Sequence, residues 1–415
     1  MAKGEAGERP LGARRPPQPD PDSLLGKEAE HPSRGRQGRR VLRAQLQGFY
    51  RSGDRLLGRL RSCGVVRHGG AGDAALAVNA DGEHSTVGLQ TCGSPWACPM
   101  CSAVIRHERS LEIREVLASH ADRGKVAVLV TLTAPTRPGV GLAEAFEIRA
   151  KAWQLLTSGR RKGELAGFGV VGTIRSVEVG WNPLSGAWSP HAHVVMLLDR
   201  VELGLLEHGR LLLWLRERWR SAVLSAGGEE PSSDHGCRVD YVRPGDVETV
   251  GGYLAKIAGS WDVASEISRM DVKRGRGRSL APLEVAQHAV AGDLMAQSAW
   301  LEFVRVTRGR QSITFSAGLR AEYLAGDPRS DEEISDERSR AGLEIIATFE
   351  PGVWRQVTRL RLHGLLPGAA DRGGLVEVER ALRTCGVRFE CQAGPGGVAL
   401  FTVAGAGSPR RSTLR

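Results

Sequence analysis

The chain has 415 residues, 41% of them hydrophobic, and carries 57 Lys and Arg against 47 Asp and Glu, a formal net charge of +10. That length suits two or three domains, and the apolar share is enough for a real core. No apolar run nears the roughly 18–20 residues of a membrane helix, the N-terminus lacks the apolar centre of a signal peptide, and seven cysteines are an odd number; together these argue against a membrane span, secretion and a disulfide framework, and for a cytoplasmic chain whose cysteines serve a metal. The basic balance favours a polyanionic partner, nucleic acid before an anionic membrane.

Residues 1–40 are rich in Pro, Gly, Arg and Glu and read as a disordered basic arm. VLRAQLQGFYRSGDRLLGRLRSCG (41–64) has helical apolar spacing with Arg on its other face, and opens a helix-plus-cysteine region expected over 41–105. In it, TCGSPWACPMC places Cys92, Cys98 and Cys101, and RSCG supplies Cys63. A C-x2-C pair with Pro between aims two thiolates at one ion, so these four are the expected ligands of a structural Zn2+. His68, His84 and His107 are weaker substitutes, and Cys237, Cys385 and Cys391 read as ordinary core residues.

From 106 to 260 the periodicities alternate. They give a helix over 103–121, a buried strand at KVAVLVTLT (125–133), and an amphipathic helix over 141–158. A strand at FGVVGTIRSVEVG (168–180), the turn WNPLSG and a return strand AWSPHAHVVMLL (187–198) follow. Then come a long helix (201–226), a strand CRVDYV (237–242) and a helix DVETVGGYLAKIAG (246–259). The order is β-α-β-β-α-β plus a helix, so the expected fold is α+β, a split βαβ (ferredoxin- or RRM-like) domain with an antiparallel sheet. A mostly helical basic extension (261–325), a polar linker (326–340) and a small C-terminal domain (341–415) complete the expected plan.

On a strand, positions i and i+2 share a face, so His191 and His193 project together and can chelate one metal ion. Glu178 is the single carboxylate of the partner strand, the natural third ligand, and two nitrogens with one carboxylate leave open coordination positions. Tyr253 and Lys256 in YLAK lie at i and i+3 on one helix face. A tyrosine oxygen is a nucleophile toward a phosphodiester when the phosphoryl group is polarised, and a nearby ammonium favours phenolate or holds a phosphate oxygen. Tyr241 is the fallback nucleophile. Ordinary alternatives stand beside each reading: half-exposed strand histidines, a plain core tyrosine, unligated buried thiols.

TCGSPWACPMCSAVI, VLVTLT, the PHAH strand and GGYLAK, in this order, resemble plasmid rolling-circle replication initiators of the single-tyrosine HUH class. The downstream runs WDVASEISRMDVKRGRGRSLAPLEVA and AWLEFVRVTRGRQSITFSAGLR resemble the variant typical of high-GC Gram-positive plasmids, and the likeness spans roughly residues 60–320. It implies that His191, His193 and Glu178 bind Mg2+ or Mn2+. It also implies that Tyr253 nicks one strand of the plasmid double-strand origin, stays on the 5′ phosphate and frees a 3′-OH primer, with later rejoining. Where relatives place a glutamate four residues before the tyrosine, this chain has Thr249. The nearest carboxylate, Glu248, is the candidate hydrolytic group, although five residues turn a helix by about 500°, some 140° off the tyrosine's face. Asp246 returns closer to that face.

Origin DNA, double- and single-stranded, is then the expected partner, with host helicase and polymerase, no membrane, and a homodimer left open. Arg106 in RHERS, Arg160 and Arg161 in the SGRRKGE loop, and Lys273, Arg274 and Arg276 in KRGRGR are the expected phosphate contacts, and Trp181 or Trp188 a stacking platform for unpaired bases. The alternatives are an HUH transposase or relaxase, a non-enzymatic zinc DNA-binding regulator, and a 2-His-1-carboxylate iron oxygenase. The regulator would need the cysteines but not His191, His193 or Tyr253. The oxygenase would leave the basic cysteine region unexplained.

Overall fold

The computed structural model describes residues 32–50, 57–68, 74–137, 139–242, 250, 279–338 and 342–404. The fold is α+β, and among these residues two five-stranded sheets organise it.

The first sheet grows from the longest apolar runs. Strands β3 (Val126–Thr133) and β5 (Trp188–Leu198) pair antiparallel over their whole shared length, and β4 (Val170–Trp181) closes the hairpin on the other side of β5. With β6 (Cys237–Val242) on one edge and the three-residue β7 (Ile313–Phe315) on the other, the order is β6-β3-β5-β4-β7, every neighbour antiparallel. Two helices cross one face: α4 (Leu142–Thr157), between β3 and β4, and α6 (Leu205–Ala226), between β5 and β6. Val128, Val130, Leu132, Val194 and Met196 meet Ala152, Leu156, Leu211, Leu215 and Trp219 there. The other face buries only its inner half: Ala127, Leu129, Ile174, Val195 and Leu197 pack on Ile113, Val116 and Leu117 of α3 (Pro99–Asp122) and on Val250. Both faces of the inner half being covered explains why β3 and β5 read as unbroken apolar runs rather than alternating strands. The outer half of that second face is polar.

Pro190 sits inside β5, a central strand. It is tolerated because the β3 ladder ends at Thr133 opposite His191, so at position 190 the only neighbour is Val179 of β4.

The second sheet runs β2-β1-β8-β10-β9. Its hairpin, β1 (Ala74–Val78) and β2 (His84–Val87), comes from the cysteine-rich region, while β8 (Glu344–Phe349), β9 (Glu390–Ala393) and β10 (Ala399–Thr402) come from the tail. The expected small C-terminal domain therefore does not stand apart: Leu76 shares one core with Phe349, Trp354 and Phe401.

Other local expectations change. The basic arm was expected to run to residue 40, but α1 is helical from Pro32 to Phe49, and α2 is only Gly58–Ser62. Leu42 and Leu46 seat α1 against Trp300 and Phe303, and Arg40 is 3% exposed, so the arginines are built in rather than solvated. The SGRRKGE loop holds a two-turn helix, α5 (Arg160–Gly167). The polar linker 326–340 holds α10 (Asp331–Arg338). Cys237 is buried as expected, but Cys391 is half-buried and Cys385 exposed, because Cys385 caps the C-terminus of its helix at the surface.

Candidate functional site

His191 and His193 fall on the polar outer half of the first sheet. Across the ladders His191 faces Thr133 on one side and Glu178 on the other, and His193 faces Thr131 and Ser176. Each imidazole Nδ1 meets a threonine hydroxyl, Thr133 Oγ1 at 3.1 Å from His191 and Thr131 Oγ1 at 3.2 Å from His193. His193 Nε2 donates to Glu178 Oε2 at 3.0 Å, a diagonal contact across the hairpin. A hydroxyl can donate or accept, so Thr133 suits either tautomer of His191. Burial pushes the His191 pKa down, with the Glu178 carboxylate opposing and His193 adding to the fall, so the neutral, ligand-competent form prevails. His191, His193 and Glu178 thus share one small polar field, but among the described residues only the cysteines below bring three or more ligand atoms within 4.8 Å of one another.

Thr131 and Thr133 were visible in VLVTLT as a motif without a role. Their signal was the same period of two that marks the histidines. Arg238 was missed altogether: it stands opposite Thr131 on β6, on the histidine face, paired with Asp240 at 2.8 Å.

The tyrosines separate cleanly. Tyr50 is buried with its hydroxyl 3.1 Å from Trp300 Nε1, and Tyr323 is buried with its hydroxyl 2.8 Å from His120 Nδ1. Burial raises the pKa of both phenols. Tyr241 pairs with Val128, and its neighbour Val242 joins the core on the histidine side, so alternation sends Tyr241 to the opposite face. The fallback nucleophile therefore points away from the histidines. Tyr253, Lys256 and Glu248 lie outside the described residues, as do Lys273, Arg274 and Arg276.

The four cysteines converge. Cys63 follows α2, Cys92 ends a short loop, Cys98 caps α3, and Cys101 sits in its first turn with Pro99 between. All are buried, and their sulfurs lie within 4.8 Å of one another. Cys63 is 3.7 Å from Cys98 and 3.5 Å from Cys101, and Cys92 is 3.6 Å from Cys101. A disulfide needs about 2.05 Å. A tetrahedron of sulfurs about 2.3 Å from a central zinc has edges of about 3.8 Å. The spacing fits four thiolates around one ion. Gly64 and Gly93, each directly after a cysteine of the cluster, take positive φ of 66° and 63°. A Cβ on Gly93 would meet the Glu332 backbone at 3.0 Å, so glycine is required there. Hydrogen bonds from the other three thiols hold Cys101 well below the usual thiol range, and the N-terminus of α3 favours the same thiolate. His84, one proposed substitute ligand, instead pairs with Asp371 at 2.9 Å.

Helix α10 closes this cluster. Ile334 is fully buried against the cysteines, and the acidic residues around it are spent on α3 and its approach: Asp331 takes Arg109 at 2.8 Å, and Asp336 takes the Thr91 hydroxyl.

The expected DNA contacts divide. Arg160 is exposed beside Glu164, and Arg161 donates to Leu155 O at 3.0 Å. Arg106 is half-buried against Pro95 O, its pKa drawn down to about 9 by burial and by Arg39, so it is no surface loop arginine. The tryptophan platform is overturned: Trp181 and Trp188 are each 3% exposed, and Trp188 stacks on Phe303 at 5.6 Å while its Nε1 donates to Glu302. They fill the space between the hairpin end and the helices α7 (Pro282–Val290) and α8 (Leu294–Thr307).

Residues 86–202 match the family model described as replication protein. A protein of Streptomyces lividans described as "Protein rep" is 28% identical, over 70% of this chain and 77% of its own length. A Streptomyces cyanogenus protein described as "Neomycin resistance protein" is 31% identical over 30% of this chain and 34% of its own length. No solved structure matches the chain significantly.

Proposed function

We propose that this chain, whose residues 86–202 match the replication-protein family model, initiates plasmid rolling-circle replication by nicking one strand of the double-strand origin. The observation that carries this reading is the histidine field: two imidazoles and a carboxylate on one sheet face, with His193 already 3.0 Å from Glu178. The strand order and the two helical crossings on one face accord with the split βαβ plan of HUH nucleases.

A divalent ion, Mg2+ or Mn2+, held by His191, His193 and Glu178 would polarise the scissile phosphate. Thr131 and Thr133 fix the ring planes from behind, and burial keeps His191 unprotonated. Tyr253 is the nucleophile that the motif implies, and the surroundings of the other tyrosines support that choice. Two of the other three tyrosines are buried and bonded, and the third faces away. Val250, packed on the histidine side of the sheet, is only three residues before it, at most about 11 Å of extended chain. The phenolic oxygen forms a bond to phosphorus while the bond from phosphorus to the 3′ oxygen breaks. That oxygen takes up a proton and leaves as the 3′-OH primer. Lys256 favours the phenolate or holds a phosphate oxygen, and rejoining reverses the exchange. Glu248 is the candidate for the final hydrolysis. Cys63, Cys92, Cys98 and Cys101 hold a structural Zn2+.

An origin-strand oligonucleotide labelled 3′ to the nick, incubated with Mn2+ and wild-type or Tyr253→Phe protein, tests this on a denaturing gel. A covalent protein–DNA band from wild type and none from Tyr253→Phe is expected. An undiminished adduct from Tyr253→Phe places the nucleophile elsewhere. DNA binding with no adduct on any origin strand favours the zinc-containing regulator.

A further inference from the structure

On the opposite side of the first sheet, three arginines gather, none of them paired with a carboxylate among the described residues. Arg149 of α4 is 5% exposed, and its Nε and Nη1 have no hydrogen-bond partner among the described residues. Arg175 of β4 rises from the same face that α4 covers, and its Nε is likewise buried without a partner. Arg310, in the loop after α8, completes the group. The cations are organised by aromatic rings: the guanidinium carbons of Arg149 and Arg310 lie 5.4 and 5.1 Å from the Phe146 ring centroid, and that of Arg175 lies 5.2 Å from Trp153. Phe146, Arg149 and Trp153 repeat at three- and four-residue spacing, so they form one face of α4.

The energetics are unbalanced as they stand. Cation–π contact contributes about 0.5–2 kcal/mol. A buried charge with unpaired N–H donors costs more than that unless an anion meets it. Burial first, then the like charges of Arg175 and Arg310, pull the Arg149 pKa down to about 9.

We propose that Arg149, Arg175 and Arg310 form a phosphate-binding pocket that takes a DNA backbone phosphate on the sheet face opposite the histidines. Guanidinium N–H donors match the oxygens of a phosphate, and Arg149 holds two of them, on Nε and Nη1, without a partner among the described residues. The pocket lets the enzyme hold DNA at a point distant from the scissile phosphate. This assignment rests on the replication reading only for the source of the phosphate; the pocket itself rests on the arginines.

Two measurements on the full-length, zinc-loaded protein test it, with Arg149→Met and Arg310→Gln as variants. In the first, inorganic phosphate is titrated against a chloride control of equal ionic strength and Tm is followed. A rise of about 3–6 °C at tenfold the phosphate Kd is expected for wild type, and none for either variant. In the second, affinity for origin DNA is measured against salt. Each variant should lower the slope of log K on log salt by about 0.9 for duplex or 0.7 for single strand. No phosphate effect in wild type, or an equal effect in both variants, overturns the pocket. A phosphate effect with an unchanged salt slope overturns its role toward DNA. A wild type that binds no DNA while showing the phosphate effect refutes the replication reading and leaves the pocket standing.

Discussion

Thr131 holds its place through one hydroxyl. It is the partner of His193 Nδ1, and the imidazole is 5% exposed, so no water can stand in. Thr131→Val keeps the shape and β-branching and removes only that group. We expect metal affinity, read by Mn2+ titration calorimetry, to fall by about 10–100-fold. An unchanged Mn2+ isotherm would mean the threonine does not orient the ligand. A second residue acts through pH. Burial, then Arg43 and Arg361, hold the His363 pKa down to about 3, against about 6.5 in the unfolded chain. The native imidazole is therefore neutral. Its contribution to stability is complete above the unfolded pKa and is lost progressively as pH falls toward 3, at up to about 1.4 kcal/mol per pH unit. His363→Gln should flatten the acid limb of Tm against pH relative to wild type. Parallel limbs would show that His363 titrates alike in both states.

Among elements, α10 depends most on a single side chain. DEEISDER offers one apolar residue, Ile334, and it is fully buried against the cysteines. Ile334→Ala should cost about 2–4 kcal/mol through the lost contacts and the cavity beside the ligands, seen as a lower urea midpoint and faster zinc release to a chelator. A midpoint within error of wild type would mean α10 does not seal the cluster. The same helix shows why the sequence was legible in parts. β3 and β5 are legible as unbroken apolar runs and α6 by its helical period, and CRVDYV matches its strand from end to end. The cysteine spacing and the alternation of His191 and His193 are short-range patterns, and the structure brings each set together. A helix with one apolar residue and seven polar ones has no period to read. Its acidic residues look like a solvated run until Arg109, Arg329 and Thr91 are placed opposite them. β7 fails for another reason: three residues are too few for alternation to register, and its existence depends on Ile174, Arg175 and Ser176 being there to pair with. Trp181 and Trp188 misled because exposure beside a site and burial beneath it leave the same trace in a sequence.

At the scale of the molecule, the decisive fact is that the chain's tail completes a sheet begun near its start. β1 pairs with β8 across more than 260 residues of sequence, a contact no local pattern announces. The two regions are tied again beside the cysteine cluster. Trp354 Nε1 donates to Val65 O at 2.7 Å. His363 Nε2 donates to Gln47 Oε1 at 2.9 Å, and the Gln47 amide in turn donates to Cys63 O at 2.7 Å. The tail thus buttresses the loop that presents Cys63. Removing residues 342–415 would strip one edge of β1, expose the buried faces of Ala74 and Leu76, and take the His363 partner from Gln47 Oε1. The histidine face, held by β3, β4 and β5 and packed on α3, touches none of these strands. The truncated chain should therefore lose zinc, measured by metal content after dialysis against a chelator, and melt at lower temperature, while Mn2+ still binds at His191 and His193 in whatever fraction stays folded. Zinc retained at one per chain after truncation would show that the cysteine cluster is self-sufficient and that the tail's sheet serves something other than its support.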